Sequence, residues 1–453
     1  MAGWFRPRTL TRNFRRKSMA KKERKYRWWM ILFFTIGLVT TVGVIVSLFS
    51  SLGRRPDRMR ATLVPPVNSQ AFLDGVSGTV GAPIREGGRA EMLNNGATFF
   101  PAVIAEIGRA KRTVDFMVYI WEPGKASDAV FAALTERARA GVQVRLMLDG
   151  LGGMKVDDKR LEEFKRAGGR VSTFRPLTFG KLTRFHKRNH RRAIVIDGEV
   201  GFTGGEAVAD KWMGNADSEE HWRDSMVRVT GPLARSLQDV FSQLWSSNTG
   251  EMLVGPQFYP NATAARPGDY IGHHVNVIGS PGSENHPMRK VFWMSFASAR
   301  QRLSIASSYF VPDEEARRIV AERARAGVDV RILVPGENTD AKSIRWAGQG
   351  YYDELLSAGA KIYEYQPTMM HAKTVTVDGQ WSVVGSANMD VRSDELNQEN
   401  VLGILDPQFA AQIDSAYMVD LSHAKQINLR EWRDRPWYWK AREKAAETLE
   451  EQF

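Results

Sequence analysis

An α/β fold is predicted, made of two copies of one domain with mixed sheets and preceded by a single membrane-spanning helix. Three observations predict it. First, ERARAGVQVRLML at 136–148 returns as ERARAGVDVRILV at 322–334. A period that long does not belong to a solenoid and indicates a duplicated domain. Second, runs of β-branched and aromatic residues alternate with Ala-, Arg- and Glu-rich amphipathic patterns, as in a layered α/β structure with a mainly parallel, mixed sheet. Third, 28–53 contains no charged residue, and 31–52 is an apolar run about as long as the 20 residues that a helix needs to cross a hydrocarbon core.

Composition limits the function. The chain has 453 residues, 43% of them hydrophobic, which is normal for a globular core. It has no Cys, which excludes a disulfide framework, thiolate catalysis and Cys-ligated metal. The net charge of +12 suggests nucleic acid at first sight, but the first 60 residues carry +13 and the other 393 carry −1. The body is nearly neutral, so no nucleic-acid partner is expected.

The elements follow in order. Residues 1–27 form a basic tail with eleven Lys and Arg against Glu23. The excess of positive charge before the span predicts a cytoplasmic tail and an extracytoplasmic body, facing the membrane exterior or periplasm. Trp28 and Trp29 sit where an interfacial aromatic belt would sit, and Arg54-Arg55 follow the span without a small-residue cleavage site. Residues 54–94 read as a linker around Pro65-Pro66, 95–250 as the first copy, 251–269 as a Pro-containing connection and 270–425 as the second copy. An aromatic and charged segment closes the chain at 426–453. Gly141 and Gly327 each follow a helical pattern and lead into a strand, as a helix C-cap does. The first copy holds about ten extra basic and aromatic residues before its His motif, within 177–189, read as a loop beside the site. The pair His273-His274 reads as a surface or linker pair in preference to a metal site.

The polar residues repeat with the fold. The second copy carries His371-x-Lys373-x4-Asp378, then Gly385-Ser386-x-Asn388, then Asn397-x-Glu399. The first carries His190-x-Arg192-x4-Asp197, then Gly204-Gly205, then Asp224. On an extended strand, residues two apart share a face, so each imidazole points the same way as its cation. One imidazole can serve as nucleophile and a second as general acid and then base. Lys, Arg and Asn amides suit the charge that develops on a phosphoryl group. Carboxylates fix imidazole tautomer and orientation, and Asp224 and Glu399 are the candidates by position. The glycines allow close backbone approach to a bound group. The set describes a phosphodiester site that needs neither metal nor cofactor.

These residues resemble the phospholipase D superfamily, whose signature is His-x-Lys-x4-Asp followed by Gly-Ser-x-Asn, over about 95 to 425. The finer pattern is similar to bacterial cardiolipin synthases: YFVPD at 309–313, EYQPTMMHAKT at 364–374 and SANMDVRSDELNQE at 386–399. The resemblance implies two α/β sandwich halves with the active site at their pseudo-twofold interface. It implies His190 as nucleophile, His371 as acid and base, and Arg192, Lys373, Ser386, Asn388 and Gly205 around the phosphate. It places Asp224 and Glu399 behind the histidines. Asp197 and Asp378 complete the motif, more as backbone supports than as substrate contacts. Two positions depart from the pattern: Arg192 stands where Lys is usual, and Ala207 where an Asn would parallel Asn388.

The implied activity is transfer of a phosphatidyl group between two phosphatidylglycerols, giving cardiolipin and glycerol. The implied partners are phospholipids and the membrane, and the sequence says nothing of oligomeric state. Hydrolysis to phosphatidic acid is the main alternative. A superfamily nuclease and a catalytically degenerate lipid-binding protein are the others.

Overall fold

A computed structural model describes residues 26–41, 43, 64–176, 187–261, 272–283 and 285–447. Residues 1–25 of the basic tail, 44–63, and 177–186 of the basic insertion, with His186, lie outside the described residues. The chain divides into two units, Met1–Arg60 and Ala61–Phe453. In the first, 26–41 form one helix whose large apolar side chains, from Trp28 to Val39, are exposed all round. No helix among the described residues is long and apolar enough to cross a membrane. The remainder of the predicted span, 44–53, lies outside them.

The second unit contains two mixed sheets. Its strands in chain order are β1 (Arg85–Glu86), β2 (Arg89–Asn94), β3 (Thr113–Met117), β4 (Gln143–Asp149), β5 (Arg170–Phe174), β6 (Ala193–Ile196), β7 (Val200–Gly204) and β8 (Ser225–Thr230). Then come β9 (His273–Gly279), β10 (Arg302–Ala306), β11 (Asp329–Pro335), β12 (Lys361–Tyr365), β13 (Thr374–Val377), β14 (Trp381–Gly385), β15 (Glu399–Leu405) and β16 (Ala424–Gln426). The first sheet runs β2-β8-β7-β6-β3-β4-β5. The second contains the same order, β9-β15-β14-β13-β10-β11-β12, extended by β1 at one edge and β16 at the other. In both, three strands are parallel (β3-β4-β5; β10-β11-β12) and the rest antiparallel, so the sheets are mixed but mainly antiparallel, against the mainly parallel sheet expected, because hairpins and returning strands join the parallel core.

Local sequence explains the repeated units. The helices Lys125–Arg139 and Glu314–Arg325 carry acids in the first turn and arginines in the last, which complements the helix dipole. Each ends at a glycine with positive φ, Gly141 at 86° and Gly327 at 89°. There the chain reverses into β4 or β11, because a residue without Cβ meets no steric penalty in that region. β6 and β13 read AIVI and TVTV and are buried along their whole length.

The linker and entry segment read at 54–94 contains regular structure in its described part. It holds the helix Gln70–Val80, strand β1 and strand β2. Phe72 on that helix meets Trp381 of β14 edge-on at 5.2 Å. β1 pairs with β9 of the second sheet, Arg85 opposite His274, while β2 edges the first. His273-His274 therefore lie in a strand, and His274 is buried beside Ser236.

One core is shared by the copies. Val195, Val227 and Val229 of the first sheet pack with Leu237, Val240 and Phe241 of the helix Pro232–Thr249. Val384, Leu402 and Ile404 of the second sheet and Phe409 and Ile413 of the helix Pro407–Ser422 join the same cluster. Burial of each such side chain stabilises by about 1.5–3 kcal/mol, so the two sheets are held as one body.

Candidate active site

Two short backbone bridges bring the copies together. His190 N donates to Gln398 O at 2.9 Å, and Gln398 N to Arg188 O at 2.8 Å. In the matching place, His371 N donates to Arg223 O at 2.6 Å, and Arg223 N to Met369 O at 2.9 Å. Each motif histidine thus lies beside the residue that precedes a carboxylate of the other copy.

The side chains complete the exchange. Nδ1 of His190 is 2.8 and 3.0 Å from the two carboxylate oxygens of Glu399. Nδ1 of His371 is 2.6 Å from Oδ2 of Asp224. A carboxylate accepts, so each Nδ1 carries the proton and each Nε2 keeps its lone pair. Both imidazoles are at least 90% buried. Burial, with the charges of Arg192 and Lys373, holds His190 well below the usual imidazole range. Burial and Lys373 lower His371 to about 4, against the opposing pull of Asp224. Both shifts favour the neutral imidazole, the form that a nucleophile needs.

Other groups fix the carboxylates. Ser386 Oγ donates to Glu399, and Asn397 Nδ2 does so at 3.3 Å. Burial raises Glu399 to about 7 in spite of these donors. Asp224 accepts from Trp212 Nε1 at 2.9 Å and from Ser225 N at 2.7 Å. Burial opposes its charge, but His371 and Lys373 outweigh burial and keep its carboxyl below the ordinary range. Next to Gly205, the carboxyl of Glu206 is wholly buried, and its oxygens have no partner among the described residues. Burial and the nearby Asp224 push it well above the carboxylate range.

Both motif cations reach inward. Lys373 Nζ donates to Ser308 Oγ and to His371 O, each at 2.6 Å. Burial lowers it to about 7, with Asp224 opposing. Arg192 Nη1 donates to His190 O at 2.8 Å. The charge of each cation acts on the imidazole of the other copy, in keeping with the backbone bridges that join His190 to Gln398 and His371 to Arg223.

Of the residues read from sequence, the structure brings His190, Arg192, Asp224, His371, Lys373, Asn388 and Glu399 together. It gives two others a different task. The Ser386 hydroxyl donates to Glu399 and accepts from Asn400 N at 3.0 Å, so it supports a carboxylate. Gly205 is required by Asp224, because a Cβ there would lie 2.1 Å from Oδ1. Asp197 and Asp378 are not at the site. Five residues along a strand is roughly 16 Å, which carries them to the opposite end of the sheet. There Asp197 accepts from the backbone of Lys111, Arg112 and Thr113. Asp378 likewise accepts from Arg300, Gln301 and Arg302. They fasten the starts of β3 and β10.

Several site residues carry no motif signal. The Tyr119 ring meets His190 at 4.9 Å, and Trp212 and Trp222 each meet His371 at 5.4 Å. Ser308 bonds both Lys373 and Asn388. Neither Tyr119 nor Ser308 falls within the repeated His-x-cation motif. Among the described residues, His286, Asp394 and Glu395 also lie close enough to share a cation. The guanidinium of Arg289 already pairs both carboxylates, at 2.6 and 3.0 Å.

Residues 103–245 and 294–419 match the family described as cardiolipin synthase, PLD-like domain. Cardiolipin synthase of Geobacillus kaustophilus (strain HTA426) is 32% identical over 355 residues, covering 78% of this chain and 70% of that protein. That of Alkalihalophilus pseudofirmus (strain ATCC BAA-2126) is 32% identical over 368 residues, covering 81% and 73%. The crystal structure of phosphatidylserine synthase from Haemophilus influenzae Rd KW20 aligns with a TM-score of 0.65, over 84% of this chain and all of that one. At 15% identity, that likeness speaks of the fold alone.

Proposed function

The chain belongs to the cardiolipin synthase family of phosphatidyltransferases, and from this premise we propose that it joins two phosphatidylglycerols into cardiolipin and glycerol through a phosphatidyl-histidine. The observation that carries the reading is the crossed pairing of His190 with Glu399 and His371 with Asp224 around two buried cations. It supplies one nucleophile and one acid–base group, each oriented, at a single phosphoryl position.

Nε2 of His190 attacks phosphorus, and the bond from phosphorus to the headgroup glycerol breaks. His371 gives the leaving oxygen its proton. The anionic phosphodiester, once bound, adds a negative charge beside His371 and raises it toward the protonated form. A hydroxyl of the second phosphatidylglycerol then attacks phosphorus, His371 takes its proton and His190 departs. Arg192, Lys373 and Asn388 hold the non-bridging oxygens. One phosphodiester replaces another, so exclusion of water decides between transfer and hydrolysis. The deep burial of both imidazoles favours transfer.

The reading includes a membrane anchor at 28–53 with the body extracytoplasmic, and the boundaries of the two copies as read from sequence. Two features of the helix over 26–41 support the anchor. Its apolar side chains are exposed on every side, as in a helix surrounded by lipid. Thr35 and Thr40 bond to carbonyls one turn back, at 2.7 and 2.8 Å, which satisfies their hydroxyls without water.

The test is a product assay with full-length protein and phosphatidylglycerol vesicles, read by mass spectrometry, beside His190→Ala and His371→Ala. Cardiolipin with glycerol, lost in both variants, supports the proposal. Phosphatidic acid in its place makes the protein a hydrolase, and no turnover makes the site degenerate.

A further inference from the structure

The two copies match strand for strand, yet the polar groups facing the phosphoryl position differ at three matched sites. The match is set by register. Val114 pairs with Ile196 as Leu303 pairs with Val377, and the bridge from Trp121 to Val208 corresponds to that from Phe310 to Met389. Tyr119 therefore occupies the place of Ser308, Arg192 that of Lys373 and Ala207 that of Asn388.

In the second copy these residues form a chain. Ser308 Oγ accepts from Lys373 Nζ at 2.6 Å and donates to Asn388 Oδ1 at 2.8 Å. The amide oxygen is thereby tied, and the two N–H groups of Nδ2 have no partner among the described residues. Cation and amide thus converge on one hydroxyl and share one small volume.

The first copy fills that volume differently. Arg192 is wholly buried. Its Nη1 donates to His190 O at 2.8 Å, repeating the bond of Lys373 to His371 O at 2.6 Å. Its Nε lies 3.4 Å from Glu206 O, on the residue just before Ala207. Nη2 and its two N–H groups have no partner among the described residues. Tyr119 stacks edge-on to His190, and burial and the charge of Asp149 raise its phenol against the opposing charges of Arg392, Arg188 and Arg192. That hydroxyl likewise has no partner among the described residues.

We propose that Arg192 and Tyr119 form the phosphate clamp of the first copy. The guanidinium supplies in one side chain both the charge of a lysine and the paired N–H groups of an asparagine. Ala207 leaves the room that the guanidinium needs, and the Tyr119 hydroxyl is a further donor to the phosphoryl oxygens. The three differences are one coupled change, and none of them marks decay. The inference rests on the proposed function only in placing the phosphoryl group between the two imidazoles. It predicts that lysine at 192 is not a conservative change, because it gives up the fork and leaves the amide missing.

The experiment compares wild type with Arg192→Lys, Ala207→Asn, the double variant Arg192→Lys/Ala207→Asn, and Tyr119→Phe. Cardiolipin formation from phosphatidylglycerol vesicles is one readout, and calorimetric binding of inorganic phosphate is the other. Arg192→Lys is expected to lower kcat/KM about 100-fold and to weaken phosphate binding. Ala207→Asn overfills the same volume and lowers both as well. The double variant regains at least about tenfold over either single change, which is the signature of coupled sites. Tyr119→Phe lowers kcat/KM about tenfold at an unchanged unfolding temperature. Arg192→Lys within twofold of wild type, a double variant no better than its parents, or an unaffected Tyr119→Phe would each overturn the clamp. If the wild type makes no cardiolipin but the variants keep this ranking in phosphate binding, the clamp stands and the lipid reaction falls. If cardiolipin forms and the ranking is absent, the clamp alone falls.

Discussion

Asp224 of the first copy stands 2.6 Å from Nδ1 of His371 in the second. The reverse pairing, His190 with Glu399, closes a crossed arrangement in which each copy completes the other's imidazole. Neither copy holds a finished acid–base group by itself, so losing one carboxylate disables the histidine of the opposite copy.

The crossed pairing separates the effects of the two carboxylates. Asp224→Asn acts on His371 and Glu399→Gln on His190, and each is expected to lower kcat about 10²- to 10⁴-fold, as when a triad carboxylate becomes an amide. A p-nitrophenyl ester of phosphatidic acid has a leaving group that needs no general acid. With that substrate, Asp224→Asn keeps its burst of p-nitrophenol and Glu399→Gln loses it. The opposite assignment of bursts would exchange the roles of the two histidines.

The pH profile follows from two groups brought near neutrality. Burial raises Glu399 to about 7 and lowers Lys373 to about 7. The productive pair, an ionised Glu399 with a charged Lys373, loses its carboxylate below neutrality and its ammonium above. A bell-shaped profile of kcat/KM centred near neutral pH is expected, since that quantity reports the free enzyme. In Lys373→Arg the cation no longer titrates, so the alkaline limb moves up while the maximum falls. A flat profile between about pH 5 and 9 would contradict this account.

Ser386 offers a finer distinction. Its hydroxyl donates to Glu399 and so lowers that carboxyl. Ser386→Ala removes the donor, and the acid limb is expected to move to higher pH. A rise in KM with an unmoved limb would instead return Ser386 to the phosphate.

Gly205 is tested by adding one methyl group. The Cβ of Gly205→Ala would fall 2.1 Å from Asp224 Oδ1, so the carboxylate has to leave its place beside His371. A loss of kcat on the order of 100-fold is expected, with full retention of the p-nitrophenol burst. Activity within a few-fold of wild type would show that Asp224 has more freedom than its contacts imply.

Asp197 and Asp378 belong to stability. Each adopts a positive φ and accepts several backbone N–H groups at the start of a strand. Asp378→Asn keeps the backbone geometry, since Asn tolerates that region, but gives up charge-assisted bonds. A loss of about 1–3 kcal/mol in unfolding free energy is expected, with kcat per folded molecule unchanged. A catalytic defect without a stability defect would put Asp378 back in the mechanism.

Much of the site was legible because it is carried by local pattern. His190 with Arg192 and His371 with Lys373 sit two apart on buried strands, and strand periodicity alone points each pair one way. Tyr119 and Ser308 lie outside those motifs, and strand periodicity does not say what either side chain touches. Ser386 was placed at the phosphate by the resemblance alone, and the position of Glu399, which accepts from its hydroxyl, is visible only in the tertiary structure.

The sequence by itself determined the duplication, the α/β alternation and the residue types that carry the chemistry. Each of these is written in spacing along one chain segment. The tertiary structure decided which carboxylate serves which histidine, across separations of 147 and 209 residues. It also decided that Gly205 and Ser386 serve carboxylates, and that Asp197 and Asp378 fasten strands away from the site. Those assignments depend on how two sheets dock through a shared core and two backbone bridges. No periodicity within either copy encodes that docking.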